Sequence, residues 1–499
     1  MTGLKLCAGN LTALGDRGLR IPRYDRKALR PRLVHLGLGH FHRAHQAAYI
    51  DELLNRGLCD SGIFEINLVP DTYPLAEIAL EQDYLYTLLA RSPAEEEPRI
   101  IGSIIGYLNA ASRPEEALAI LGRRETAAIS LTVTEKGYYY DTVREDLAWD
   151  HEDLIHDAAF PDKPRTTIGF LALALERRRK EGAGPVTVMS CDNFPSNGKI
   201  LARCLDSFCR KTRPALAAWI RENVAFPLSM VDRITPGTTE TFLEELAERY
   251  GIRDRWAVGC EDFRQWVLED HFQEGFPLGA LDKAGVQIVR EVEPYELMKI
   301  RLLNGSHSAL AYPAYLMGHR GVAEAIEDSL LRRFIRDFYM EQIGSAVPPV
   351  PGIDLKDYKD TLIRRFSNRN IADTVLRLAS DGSKKVPNAI LKPLAELEKK
   401  NAPHGAVVFA LASWARFLTG QGEEGDPIPL EDPAAPELSA ATLKAGEDPA
   451  GFLRTIGMPE TGEDKLSPLA RELQNYVTRI KALGIRRALE SFLRHDNSL

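Results

Sequence analysis

Between residues 31 and 292 the chain repeatedly alternates short apolar runs with helical stretches, and after Pro294 the β-like runs nearly vanish. That change of pattern restricts the fold more than any bulk property. Residues 31–36 (PRLVHL), Phe64–Val69, Ile100–Tyr107, Ala127–Thr134, Val186–Ser190 and Gln287–Val292 read as strands. Helical patterns such as Glu115–Arg123 and Thr167–Lys180 lie between several of them. Strands separated by helices predict a parallel α/β sheet. Beyond Pro294 the spacing predicts helices at Leu330–Ile343, Tyr358–Arg365, Ile371–Leu378 and Pro468–Ala482. The last has Ser467 placed as N-cap and a proline at the first helical position. The Gly/Glu/Pro-rich stretch Gly420–Pro436 reads as a surface loop. The expected plan is an α/β domain over residues 1–290 followed by a mainly α-helical domain over residues 291–499.

Charge and composition exclude several function classes. The 499 residues carry 63 Lys and Arg against 71 Asp and Glu, a net charge of −8, which provides no general basic surface for nucleic acid. The longest apolar runs, such as Ala406–Ala415, fall far short of the ~20 residues needed to cross a bilayer. The opening MTGLKLCAGN lacks the sustained apolar stretch of a signal peptide. Cys7, Cys59, Cys191, Cys204, Cys209 and Cys260 form no CxxC pair and read as reduced thiols. A cytoplasmic enzyme with no nucleic-acid or membrane partner is expected. No heptad seam is present, and a monomer is expected.

Four segments are candidates for chemistry. In the first, Gly37-Leu38-Gly39-His40-Phe41-His42 follows a strand and opens a helix, where glycines allow a tight turn and close approach to a pyrophosphate. His42 stands where a third glycine would complete the usual fingerprint, so an ordinary strand-to-helix turn is the competing reading. Asp71, after the next strand, suits the ribose diol of NAD and would repel a 2′-phosphate, or is a plain turn residue after Pro70. His40, His42 and His45 invite a metal reading, but no second ligand cluster completes it. Phosphate contact or backbone capping is the expected role, and no metal is assigned.

The second candidate is VTVMSCDNFPSNG (Val186–Gly198), a strand running into a polar turn with Asp192 and Asn193 where open α/β sheets bind ligands. An Asx-turn ahead of Pro195 explains the same residues. The third is MVDRITP (Met230–Pro236), where Asp232 and Arg233 are either functional or a surface pair. The fourth is KIRLLNGSH (Lys299–His307). On a helical wheel at roughly 100° per residue, Glu296, Lys299, Asn304 and His307 share an arc of roughly 140°. A lysine in a dry pocket becomes a usable general base, and an asparagine there can donate to a developing alkoxide. The alternative is a buried ion-pair network with Glu296.

The segments VHLGLGHFHRAHQAAYIDELL, SLTVTEKGYYY, VMSCDNFPSNG, MVDRITP, KIRLLNGSHS and RFSNRNIADTVLRLASDGSKKVP together resemble the polyol-specific long-chain dehydrogenases, the mannitol dehydrogenase family. The resemblance runs from about residue 30 to 420 and weakens toward the C-terminus. It implies a Rossmann-type N-terminal domain, a helical C-terminal domain with the active site between them, and metal-independent NAD-dependent oxidation of a secondary alcohol. Carried over, Lys299 is the general base and Asn193 and Asn304 stabilise the alkoxide. His307 orients substrate and Glu296 serves proton exit. Asp232, Arg377 and Lys385 contact remote hydroxyls, with Lys384 as the alternative to Lys385. The coenzyme contacts implied are Gly37, Gly39, Phe41, His42, Arg43, Asp71, Thr134 and Glu135.

Within the family, QDYLYTL, VPGIDLKDYKDTL and FSNRNIAD look like the branch that oxidises D-mannitol to D-fructose. NLVPD and TVTEKGY lean toward fructuronate reductase (D-mannonate oxidoreductase), and a D-arabinitol dehydrogenase is a further alternative. A polyol or ketose is the expected small-molecule partner.

Overall fold

In the computed structural model, residues 3–71, 74–444, 448–458 and 467–495 are described. The chain divides into two units, Met1–Glu293 and Pro294–Leu499. The first is built on a six-stranded parallel sheet of β1 (Arg30–Leu36), β2 (Ser61–Asn67), β3 (Ile104–Asn109), β4 (Ala128–Leu131), β5 (Val186–Ser190) and β6 (Val224–Ala225). Their order across the sheet is β6-β5-β4-β1-β2-β3. This is the dinucleotide-binding arrangement, whose strand order reverses between β1 and β4.

Side-chain alternation sends Val34, Leu36, Ile129 and Leu131 to one face and Leu33, Ile63 and Ala128 to the other. Helices Thr167–Lys180 and Asn197–Thr212 pack on the first face and Gln46–Asn55 on the second. Every residue of β4 and β5 is buried, as expected of parallel strands covered on both faces.

Two segments depart from expectation here. Ile100–Tyr107 is two strands, because the chain bends at Gly102-Ser103, where Gly102 N donates to Asp51 (2.9 Å) and Ser103 Oγ to the Ala47 carbonyl (2.8 Å). Glu96–Ile101 pairs antiparallel with Tyr86–Arg91, outside the central sheet. The run expected over Gln287–Val292 ends as a strand at Val289.

The second unit is helical. Thr166 and Ser467 cap helices Thr167–Lys180 and Pro468–Leu483, one in each unit, by accepting from Gly169 N and Ala470 N. The helix expected over Ile371–Leu378 is shorter, Val375–Ala379, because the Thr374 hydroxyl accepts from Arg377 N and sets the start there. Gly420–Pro436 is a loop save for its last turn, where helix Ala435–Lys444 begins. Among the described residues, no helix is long and apolar enough to cross a membrane.

Helix Glu293–Met298 continues through a π-helical segment, Lys299–Asn304, into helix Gly305–Leu316. Two further π segments, Phe334–Tyr339 and Pro387–Leu391, meet this helix at Gly305. A Cβ on Gly305 would stand 2.7 Å from the buried Tyr339 Oη and 3.0 Å from the Ala389 carbonyl oxygen. Gly305→Ala is therefore expected to lose about 1–2 kcal/mol, because overpacking at 1–3 kcal/mol exceeds the ~1 kcal/mol of helix propensity gained. Urea unfolding of the two proteins measures this, and an unchanged or raised midpoint would show that the contact yields.

Candidate active site

Three adjacent strand ends organise the N-terminal unit at the point of strand-order reversal. After β1, Gly37 takes φ +104° with the Thr132 carbonyl oxygen only 2.3 Å from where a Cβ would be. No other residue type fits there. Gly39 is exposed and open, and its N–H closes the turn onto the Gly37 carbonyl (2.8 Å). The helical turn that follows, His40–Ala44, is short and breaks at His45 before the longer helix Gln46–Asn55. Leu38 N donates to Asn67 Oδ1 (2.9 Å), and Asn67 Nδ2 donates to Asp71 Oδ1 (2.9 Å). Tyr107 donates its hydroxyl to the same Asp71 oxygen (2.5 Å). One carboxylate oxygen is thus held twice by the protein, which fixes the orientation of Asp71. Nothing in the sequence singled out Asn67 or Tyr107; Tyr107 reaches Asp71 only through the pairing of β2 with β3, and Asn67 through the turn that follows its own strand.

After β4, Thr134 and Glu135 are exposed, and Thr134 holds φ 65°, ψ 162°. After β5, Asn193 is exposed on the next loop, directly beyond the buried Asp192. Asp192 accepts from Val133 N (3.1 Å), Thr134 N (2.8 Å) and Tyr138 Oη (2.6 Å). Burial raises its carboxyl, and these three donors pull the other way.

Asp232 and Arg233 are not a surface pair. Both are buried, and Arg233 donates to the Glu261 carbonyl (2.8 and 3.0 Å) and the Ala44 carbonyl (2.5 Å), joining the β-strand Val258–Glu261 to the turn after Gly39.

The histidine string also resolves differently from expectation. His42, proposed from sequence as a coenzyme contact, is fully buried, stacked on His35 at 3.4 Å between ring centroids, with Nε2 2.7 Å from Glu65 Oε1. Arg43 is likewise buried, donating to the Trp256 carbonyl with its guanidinium over the Trp256 and Tyr86 rings. His45 meets the Gln265 carbonyl (2.8 Å). These side chains brace the turn from inside, and their burial follows from the amphipathic helix packing onto the sheet. Phe41 is half-buried, stacked on His45.

His35, Glu65 and Ser130 are neighbours in register across β2, β1 and β4, which places His35, His42 and Glu65 in one cluster. Their donor atoms lie within 4.8 Å of one another. The rings of His35 and His42 are nearly parallel (14°), so no ion can lie in both imidazole planes, and His35 is already engaged by Ser130 Oγ (2.7 Å) and Thr132 Oγ1 (2.9 Å). The donor geometry does not fit a metal. Burial lowers both imidazoles to about 3 and lifts the Glu65 carboxyl to about 7.

In the C-terminal unit, Glu296 and Lys299 are buried and Asn304 and His307 half-buried along the one continuous helix. The π segment corrects the α-helical wheel used on the sequence. Lys299 and Asn304 are five residues apart, roughly 140° on an α-helix, but i→i+5 pairing brings such a pair close to one face. Arg377 forks onto Asp373 through Nε and Nη2 (both 2.5 Å). Lys385 Nζ lies 3.4 Å from the Arg377 and Leu378 carbonyls, and burial, then Arg377, lowers its amine. Lys384 turns to Asp381 (3.6 Å) on the exposed side.

Glu65 yields a pH test. Its folded value of about 7 lies above the ordinary ~4.3 of an unfolded glutamate, so its contribution is complete below about 4.3, is lost as pH rises from there to 7, and changes no further above that. His35 and His42 act oppositely, but only below their unfolded value of ~6.5. Both imidazoles are present in either protein, so between pH 5 and 7 wild type is expected to lose up to roughly 1.4 kcal/mol per pH unit relative to Glu65→Gln, with the difference levelling off above pH 7. Thermal unfolding midpoints across that range measure it; a difference that does not vary with pH contradicts the assignment.

The sequence matches the mannitol dehydrogenase Rossmann domain over residues 31–278 and the mannitol dehydrogenase C-terminal domain over residues 291–480. The mannitol 2-dehydrogenase of Aspergillus fumigatus is 39% identical over 505 residues, covering 99% of this chain and 100% of that protein. Pseudomonas fluorescens mannitol 2-dehydrogenase, solved as a ternary complex with NAD and D-mannitol, is similar with a TM-score of 0.86 and 36% identity, covering 98% of this chain and 100% of that one. A D-sorbitol dehydrogenase in substrate-free form is similar with a TM-score of 0.87 and 31% identity, over 97% of this chain and 100% of that one. With both units matched in order and the relatives aligned along nearly their whole length, the chain belongs to the mannitol dehydrogenase family.

Proposed function

We propose that this protein oxidises D-mannitol to D-fructose with NAD, Lys299 acting as general base and no metal taking part. It is an NAD-dependent polyol dehydrogenase by family. The Gly37 turn, the open Gly39 and the doubly held Asp71 fit a dinucleotide with a free ribose diol. NAD, when bound, supplies the hydride acceptor.

The observation that carries the catalytic assignment is the π segment, which turns Lys299 and Asn304 toward one face of a buried helix. In this assignment the Lys299 amine takes the proton of the secondary hydroxyl. Asn193 and Asn304 donate to the oxygen as negative charge develops on it, which lowers the barrier without a metal. His307 orients the reacting hydroxyl, and Glu296 passes the proton from Lys299 onward. Asp232, Arg377 and Lys385 hold the remote hydroxyls.

The neutral polyol is favoured over a sugar acid because the Arg377 fork is committed to Asp373, the geometry that a bidentate carboxylate would otherwise use. Lys385 is favoured over Lys384 because its amine is drawn in beside Arg377. A cytoplasmic monomer with its six thiols reduced completes the proposal; all six cysteines are free.

Lys299→Ala is expected to lower kcat roughly 10²–10⁴-fold while leaving NADH affinity within about twofold of wild type. Near-normal turnover by that variant would remove Lys299 from the chemistry. The substrate is decided by kcat/KM for D-mannitol, D-arabinitol, D-sorbitol and D-mannonate with NAD. D-Mannitol is expected to lead, and fastest turnover of D-mannonate would reassign the enzyme.

A further inference from the structure

Thr134 is exposed and holds φ 65°, ψ 162°, a backbone region that is essentially glycine's alone. A threonine stays there only when its surroundings over-determine it. The Thr134 carbonyl accepts from Gly137 N (3.0 Å), and one side chain holds the amides. The Asp192 carboxylate, with the residue 7% exposed, takes the Thr134 amide on Oδ1 and the Val133 amide on Oδ2. Tyr138, fully buried in the same loop, donates its hydroxyl to Oδ2 and shares a 2.7 Å hydrogen bond with Ser190 Oγ at the end of β5. The main chain of Asp192 is pinned as well: its carbonyl accepts from Phe194 N (3.1 Å) and from the buried Asn197 Nδ2 (3.0 Å). Asn197 Nδ2 also donates to the Ser229 carbonyl (2.8 Å).

Asp192 therefore stands between two loops that serve different tasks. Its carboxylate shapes the turn after β4, and its backbone leads directly to Asn193 on the turn after β5. We propose that Asp192 is a positioning residue that holds Thr134 in its strained, coenzyme-facing conformation and through the same anchoring sets the direction of Asn193. The proposal rests on the dehydrogenase reading above for what the two loops contact. Its physical content, that one buried carboxylate maintains a strained backbone, is independent of the substrate.

The test is a double-mutant comparison in the full chain, read by NADH binding from fluorescence titration and by kcat and KM for D-mannitol. Asp192→Asn keeps the shape but puts an amide donor against one of the two backbone N–H groups. It is expected to raise the NADH Kd about tenfold and to lower kcat at least as much. Thr134→Gly removes the strain, because glycine takes that conformation freely. In the Thr134→Gly background, Asp192→Asn should then raise the NADH Kd by no more than about twofold. An equal penalty in both backgrounds would overturn the proposal, since a merely structural aspartate would not be relieved by a glycine in place of Thr134.

If the asparagine variant is not recovered folded, Tyr138→Phe replaces it. Losing one of three donors should raise the NADH Kd about threefold in the wild-type background and less in the Thr134→Gly background; no change in either background would equally overturn the proposal. Failure of wild type to bind NADH at all would instead refute the coenzyme reading, which keeps the two claims separable.

Discussion

Buried polar groups must be paired, and the N-terminal unit meets that demand with a seam of hydrogen bonds across the carboxyl ends of three parallel strands. His35 on β1 reaches Ser130 and Thr132 at the end of β4, and Thr132 in turn donates to the Gly37 carbonyl (2.9 Å). Ser190 on β5 shares a bond with Tyr138, whose hydroxyl meets Asp192, and Asp192 holds the amides after β4. Ser229 Oγ donates to the Ser190 carbonyl (2.5 Å), and Asn197 joins that segment to Asp192. The loops where a dinucleotide binds are consequently continuations of a rigid sheet. The dinucleotide order places β4 between β1 and β5, and the links from His35 and from Asp192 follow from those two adjacencies.

The C-terminal unit solves a different problem, which is to present several polar groups from one buried helix. A regular α-helix would set Lys299 and Asn304 roughly 140° apart around its axis. The wider pairing of the π segment corrects this locally while the α-helix resumes at Gly305. Where the α-helix resumes, Gly305 lies against Tyr339 and Ala389 at distances only a glycine tolerates.

The legible and illegible parts of the site separate along physical lines. Gly37, Asn193 and Lys299 stand out as candidates because a local pattern, a strand running into a turn or a polar group in an apolar helix, marks each one. His42 and Arg43 were misplaced because proximity in sequence to a glycine turn says nothing about which way a side chain faces. Packing of helix Gln46–Asn55 onto the sheet put both inside, where His42 meets Glu65 and Arg43 meets Trp256. Tyr107 had no local signal, since Asp71 is reached from it only across strands, and Asn67, four residues before Asp71, reads as an ordinary strand-end residue. Ile100–Tyr107 was misjudged as one strand for a similar reason: the break at Gly102 is made by Asp51, a residue about fifty positions away.

The sequence by itself determined the class of each half and the residues able to do chemistry. Alternation of period two and of helical period is a local property, and the glycines, asparagines and the lysine are recognisable where they stand. Tertiary structure alone decided which polar groups are braces and which face outward, because burial and register depend on partners far along the chain. It also decided the geometry of the helix carrying Lys299. Its π segment runs into Gly305, which packs closely against Tyr339 and Ala389, and no periodicity in KIRLLNGSH reveals it.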